Sequence, residues 1–259
     1  MKNCFITQSG ATMNDKDLWG LLAKLRNQKF VDLTHSFYPG IPHASDMPDQ
    51  EFITLYDFPT DGFRAHVYKH AGQWGTHVDP PIHFIEGGRA IDEIDVSEML
   101  LPLVKFDCKD KSEVDQDYIF TLKDLEKWES IYGHVPENSF AIMGTGWAKY
   151  WPSGDLMTKR DPQGIAHFPG WGKDAVEYLI SERKVKAFGH ETTDTDGGIA
   201  ISADDYSVET LILKKDCYQV ELLADTSMVP PVGAIASVTF PKPKGGSGYP
   251  ARVFAICPI

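Results

Sequence analysis

Gly72-Gln73-Trp74-Gly75-Thr76-His77-Val78-Asp79-Pro80-Pro81-Ile82-His83-Phe84 is the stretch that organises the rest of the chain. In an extended strand alternate side chains share a face, so Gln73, Gly75, His77 and Asp79 are predicted to point the same way. His77 and Asp79 stand roughly 6.6 Å apart at Cα on a regular strand, close enough for an imidazole and a carboxylate to lean onto one cation. Gln73 lies four residues earlier, roughly 13 Å from His77 on a straight strand, and joins them only if the chain bends. Gly75 offers that bend, because a glycine inside a strand pattern marks a bulge or a close approach. Pro80-Pro81 ends the ladder, proline having no N–H to donate, and the turn sends His83 back toward the same place. Histidine with carboxylate suits zinc, manganese or iron, and the oxygen share leans toward Mn2+. A lone His-x-Asp is more often a hydrogen-bonded structural pair. The second histidine and the shaping by Gly75 and Pro80-Pro81 bring metal ligation level with that reading.

Working outward, Phe30–His35 reads as the preceding strand, closed by Tyr38-Pro39-Gly40. Further strands are predicted at Phe52–Tyr56, Arg64–Lys69, Leu103–Cys108 and Ser139–Met143, then at Val185–Gly189, Cys217–Leu222, Gly233–Phe240 and Ala251–Ile256. Leu18, Leu21, Leu22 and Leu25 fall at helical spacing within Lys16–Arg26 and predict an amphipathic opening helix. Thr121-Leu122-Lys123-Asp124 resembles a capping box for a helix to about Tyr132, and Lys173–Arg183 forms another. Strands outnumber helices without a regular βαβ alternation. The expectation is a single α/β domain with a large, mostly antiparallel sheet and a few packed helices, spanning 29–259 after an N-terminal helical segment, 1–28.

The 259 residues can bury a full core unaided. Cys4, Cys108, Cys217 and Cys257 show no paired spacing, which argues against a disulfide framework or a cysteine zinc site and for free buried thiols in a reducing compartment. No signal peptide or membrane span is read, so a cytoplasmic location is expected. The formal net charge of −12 disfavours nucleic acid as a partner.

At Gly75–His83 the chain resembles the cyclase family, which includes bacterial kynurenine formamidases and isatin hydrolases; the family pattern His-x-Gly-Thr-His-x-Asp-x-Pro-x-His is matched from Gly75 to His83 without a gap. Val31–His35, Met143–Trp147, His167-Phe168-Pro169-Gly170 and Pro241–Gly248 also fall in family order, so the resemblance covers roughly residues 30 to 256. It implies a swivelling β/β/α fold, commonly dimeric, acting on a small-molecule substrate with one or two divalent metal ions per subunit, Mn2+ or Zn2+. His77 and Asp79 carry over as ligands of the first metal, with Gln73 standing where the family has histidine. For a second metal the family uses a histidine and a glutamate a dozen residues on, with the motif aspartate bridging. Those positions fall on Glu209 and Glu221, two glutamates that in an acidic chain would otherwise be solvated surface groups. Asp79, Glu209 and Glu221 together bring three negative charges to one pocket, which without cations forces at least one to hold a proton.

The implied reaction is hydrolysis of a small amide, lactam, formamide or ester through a metal-activated water. His83 is the candidate general base and then acid, histidine being the side chain that titrates near neutrality. Trp74, Trp147, Trp151 and Phe168 are candidates for a wall against a planar substrate, with core filling an equal reading of each. His167, His190 and Glu191 are further candidates to face substrate, the last two on Phe188–Gly198, which resembles the family's Gly-x-Asp-Thr loop. Pro241–Gly248 reads as a Gly-rich loop near the mouth of the site. With Gln73 and Glu209 replacing imidazoles, a catalytically inactive metal- and ligand-binding relative is the alternative.

Overall fold

The computed structural model describes residues 17–44 and 46–259. Cys4, Lys16 and most of the 1–28 segment lie outside these, so only the helix Leu18–Arg26 tests the opening prediction. It forms, capped by the Asp17 carboxylate, which accepts from Trp19 N at 2.7 Å. Its leucines are not buried in this chain: Leu18, Leu21 and Leu22 are all exposed.

Nine strands make one sheet in the order Lys29–Asp32, Arg252–Cys257, Ala234–Thr239, Leu100–Asp107, Phe140–Gly144, Ala187–His190, Tyr218–Glu221, His77–Asp79, Tyr249–Pro250. The flanking pairs are antiparallel. The central ones, from Leu100–Asp107 through Tyr218–Glu221, are parallel. The sheet is therefore mixed, antiparallel at its margins. Tyr249–Pro250 and Arg252–Cys257 are separated by Ala251 alone yet belong to opposite sides of the order. A flat sheet cannot satisfy both, so this one curls on itself.

The curl gives the sheet an inner and an outer face, and strand alternation distributes the residues between them. Leu101, Leu103, Phe140, Ile142, Val78, Val220 and Val253 meet inside, in one core. Val104, Phe106, Ala141, Met143 and Phe188 face out and pack beneath the helices Leu122–Tyr132, Lys173–Ser181 and Ser207–Lys214. The first of these carries the predicted capping box: Thr121 Oγ1 accepts from Asp124 N, and Asp124 Oδ2 accepts from Thr121 N at 3.0 Å. Ser207–Lys214 has too few residues to declare itself by periodicity, and the sequence reading had no helix there.

The strands predicted at Phe52–Tyr56 and Arg64–Lys69 form as Glu51–Tyr56 and Ala65–Lys69, which pair with each other in a separate two-stranded sheet. Every residue of Glu51–Tyr56 is exposed, including Phe52, Ile53, Leu55 and Tyr56.

Candidate metal centre

The key stretch is less extended than its sequence suggested. Regular strand is confined to His77–Asp79; Gly75 turns at φ +62°, and Pro81–His83 is a short 3-10 turn. The bend at Gly75 brings Gln73 back, and the diproline turn brings His83 back. Both expectations rested on backbone chemistry, and both side chains arrive at Asp79.

Antiparallel pairing supplies the other half of the cluster. Asp79 lies opposite Gln219 and His77 opposite Glu221. Because the intervening Val78 and Val220 point into the inner core, all four polar side chains stand together on the outer face. Glu209 reaches them from the helix Ser207–Lys214, whose N-terminal amides are anchored by Asp196: Val208 N and Glu209 N donate to its carboxylate at 2.9 and 3.0 Å. All five groups are buried.

Two sets of three potential ligands share Asp79: His77, Asp79 and Glu221, and Asp79, His83 and Glu209. Within each set the donor atoms lie within 4.8 Å of one another. His77 Nε2 stands 3.3 Å from Asp79 Oδ2 and 3.5 Å from Glu221 Oε2, yet makes no well-formed hydrogen bond among the described residues. Its Nδ1 lies 2.8 Å from Gly75 O, the orienting contact that leaves Nε2 for a metal. His83 Nε2 is 4.0 Å from Asp79 Oδ1 and 3.9 Å from Glu209 Oε1, and its side chain keeps 24% of its exposure, making it the most open member of the group.

The electrostatics follow from crowding. Burial, then the neighbouring carboxylates, push Glu209 and Glu221 well above the ordinary glutamate value. Burial also works against ionised Asp79, but the charge and hydrogen bond of His77 outweigh it and bring Asp79 down to about 2. Burial likewise opposes charge on His77, yet Asp79 holds it above the usual histidine value. Carboxylates that burial and one another push toward the neutral form, beside a buried imidazole nitrogen without a proper partner, make a donor set that a cation would balance. The residues fit a divalent ion.

Gln219 had escaped the sequence reading. Its Nε2 donates to Glu209 Oε1 at 2.8 Å and Glu221 Oε1 at 3.2 Å, and lies 3.5 Å from Asp79 Oδ2. Its Oε1 accepts from Thr195 Oγ1 at 2.7 Å, which fixes the amide with its NH2 toward the carboxylates. The signal was available: Gln219 is two residues from Glu221 on a predicted strand and must share its face. His190 stands behind this pair. Its Nε2 lies 3.0 Å from Thr195 Oγ1, and burial holds its pKa down at about 3, so it is a neutral support. Gln73 presents its Nε2 to Asp79 Oδ1 at 3.0 Å and to Ser247 O at 2.9 Å. The Gly-rich loop thus lies against the site, and a Cβ at Gly248 would collide with this amide.

Other expected substrate contacts are placed elsewhere. Glu191 follows His190 and so points to the sheet's opposite face, where N–H and O–H groups of Thr145, Trp147 and Thr226 donate five hydrogen bonds to it. Trp74 is fully buried with its indole N–H on Gln50 Oε1. Trp147 fills a small core with Met157 and Phe168, its N–H on Met157 O. His167 is held between Asp117 and Asp161. Aromatic surface near the cluster comes instead from half-exposed Phe84, edge-on to His83 with ring centroids 4.9 Å apart and 5.6 Å from the ring of Tyr206.

The chain is similar to known proteins along most of its length. Residues 31–197 match the cyclase family model. The isatin hydrolase of Roseibium aggregatum is 30% identical over 257 residues, covering 93% of this chain and 97% of that protein. A crystal structure of an isatin hydrolase bound to the product analogue thioisatinate superposes with a TM-score of 0.87 at 28% identity, over 93% of this chain and 98% of that one. The isatin hydrolase A of Ralstonia solanacearum gives a TM-score of 0.86 at 28% identity, over 96% and 100% of the two chains.

Proposed function

The chain belongs to the cyclase family of metal-dependent hydrolases, and on that premise we propose that its substrate is a small cyclic amide of the isatin type. Water adds to the carbonyl carbon, the C–N bond breaks, the nitrogen takes up a proton and the carbonyl becomes a carboxylate. The observation that carries this reading is the meeting of His77, Gln219, Glu209 and Glu221 around one buried carboxylate, Asp79. His77, Asp79 and Glu221 would hold one divalent ion and Glu209 a second, with Gln73 as an auxiliary oxygen donor after an amide flip. The oxygen-rich set favours Mn2+ over Zn2+. Such an ion lowers the pKa of water and polarises the carbonyl.

The protein's own groups do the rest. His83, the most open of the cluster, takes the proton from the attacking water and returns it to the leaving nitrogen. Asp79 and Glu209 flank its Nε2 at 4.0 and 3.9 Å and so fix where the ring stands between the two transfers. Phe84, beside it, offers a flat face to the ring of the substrate. The set Asp79, His83 and Glu209 also supports a second reading, in which His83 is itself a ligand.

Elemental analysis of purified protein, followed by a hydrolysis screen of lactams, formamides and lactones with Mn2+ and Zn2+ separately, tests the proposal. We expect stoichiometric metal, lactam opening, and loss of both in His77→Ala and Asp79→Ala. In His83→Gln, turnover lost with metal content unchanged assigns the base; loss of one ion assigns a ligand. Substrate binding without turnover in metal-replete protein would overturn the catalytic reading in favour of an inactive relative.

The same reading includes a homodimer and a cytoplasmic location. The exposed apolar residues of Glu51–Tyr56 support the first, since a two-stranded sheet with one strand bare along its length is marginal in water unless something packs on it. The described cysteines, all free and buried, are consistent with the second. Among the described residues no helix is long and apolar enough to cross a membrane.

A further inference from the structure

The inner face of the sheet carries a second polar site. A cavity of about 470 Å3 opens at the carboxyl ends of Leu100–Asp107 and Phe140–Gly144, with Lys105, Lys109, Lys149, His35, Glu191 and Thr226 in its wall. Parallel strands place their ligand crevices at this end, and the volume is in the range that holds a small organic molecule.

Lys105 is the unusual member. It continues the inward row of Leu101 and Leu103, so its side chain is carried into the interior and keeps only 4% exposure. Its ammonium has three N–H groups to place. It donates to Thr226 O at 3.3 Å and faces Asp107 Oδ2 at 3.3 Å, the aspartate side chain being 61% exposed. Both contacts are long beside the roughly 2.7–2.9 Å of a good charge-assisted bond, and a buried ammonium held this loosely keeps much of its desolvation cost. Glu191 does not supply the missing partner, because its oxygens are already taken by Thr145, Trp147 and Thr226.

Beside Lys105 the wall also offers a flat uncharged surface. His35 stacks on Trp151 with ring centroids 4.3 Å apart, and its buried Nε2 has no hydrogen-bond partner among the described residues. Burial brings its pKa down to about 4, so near neutrality it is an uncharged wall. Lys109 and Lys149 stand exposed at the rim. The three lysines share the wall with the carboxylates of Asp107, Glu191 and Asp225, and Lys149 is itself paired with Glu113 at 3.1 Å, so Lys105 is the buried cation on which an anion would draw.

We propose that this cavity binds a small organic carboxylate, with Lys105 as its buried contact and Lys109 and Lys149 at its mouth, on the face of the sheet opposite the metal cluster. The site does not depend on the hydrolase reading, although the product of that reaction carries the same group.

Calorimetric titration of the full-length protein with benzoate, beside uncharged benzamide, tests it. Saturable benzoate binding is expected, equal within about twofold in wild type and His77→Ala, with benzamide not binding. Lys105→Met should weaken benzoate roughly tenfold or more, the loss of a charge-assisted hydrogen bond. Since a buried lysine can matter for folding, the rim double variant Lys109→Ala/Lys149→Ala is the second arm, and a weakening of severalfold is expected. The proposal is overturned if wild type shows no saturable binding, if benzamide binds as well as benzoate, or if binding disappears in His77→Ala while surviving both lysine variants.

Discussion

Glu191 and Glu221 are both buried glutamates, one just after and one at the end of two adjacent parallel strands, and the protein treats them in opposite ways. Glu191, on the inner face, is surrounded by donors: backbone N–H groups of Thr145, Trp147 and Thr226 and two threonine hydroxyls meet its oxygens. Glu221, on the outer face, meets Asp79 and Glu209 across a pocket in which Gln219 is the amide donor they divide among them. A carboxylate that ties a loop down is given hydrogen bonds. The carboxylate proposed to hold a cation is given other carboxylates. Burial alone does not distinguish the two; the neighbours do.

Replacing each by glutamine is the strongest way to break this contrast. Glu221→Gln should weaken divalent-metal binding by roughly a hundredfold, the upper end of what outer-sphere partners cost, while leaving the metal-free protein as stable or more so, because crowding among carboxylates is relieved. Glu191→Gln should do the reverse, leaving metal affinity unchanged and lowering stability by roughly 2–3 kcal/mol, since an amide NH2 is forced onto N–H donors. Isothermal metal titration and chemical denaturation of both variants decide it; a similar response from the two would end the distinction.

The contrast also has a pH signature. Glu209 and Glu221 hold their protons in the folded protein to higher pH than in the unfolded chain. Above the ordinary glutamate value the folded state therefore binds more protons, and its stability falls as pH rises, by up to about 1.4 kcal/mol per pH unit for each group. Asp79 runs the other way: its contribution is present above the usual 3.8 and is lost as pH falls toward 2. Denaturation of chelated protein between pH 5 and 9 should show the decline, and saturating Mn2+ should abolish or reverse it, because metal displaces those protons. A flat profile in chelator would mean the glutamates are not crowded as described.

The smallest effect concerns placement. Asp196→Ala removes the acceptor for Val208 N and Glu209 N and should cost about 1 kcal/mol by thermal denaturation, with metal affinity falling a few-fold because Glu209 is less well held. Stability lost without any change in metal affinity would make Asp196 a cap and nothing more.

The strands were legible because alternation and turn residues are local: Leu100–Asp107, Ala234–Thr239 and Arg252–Cys257 lie within a few residues of where the pattern put them. So was the core of the site, since the bend at Gly75 and the stop at Pro80-Pro81 are properties of those residues alone. Gln219 was missed although its strand was found and its two-residue spacing from Glu221 put both on one face; its partners Asp79 and Glu209 come from elsewhere in the chain. Trp74 and Trp147 were offered as walls and turned out to be interior, an outcome hydrophobicity alone cannot separate from exposure in a pocket. Glu191 was a candidate to face substrate because its segment resembles the family's Gly-x-Asp-Thr loop, whereas the two-residue period of a strand sends it to the face opposite His190.

The single residue Ala251, between Tyr249–Pro250 and Arg252–Cys257, couples distant parts of the protein. Tyr249 and Pro250 flank Val78 and His77, whereas Arg252–Cys257 is wedged between Lys29–Asp32 and Ala234–Thr239. Slack cannot accumulate in so short a tether, so loosening the carboxyl-terminal strand tugs at the ladder beside His77. The pocket around Asp79 and the strand Arg252–Cys257 are thus expected to open together in hydrogen exchange, the pocket drawing its rigidity from a seam it does not itself contain.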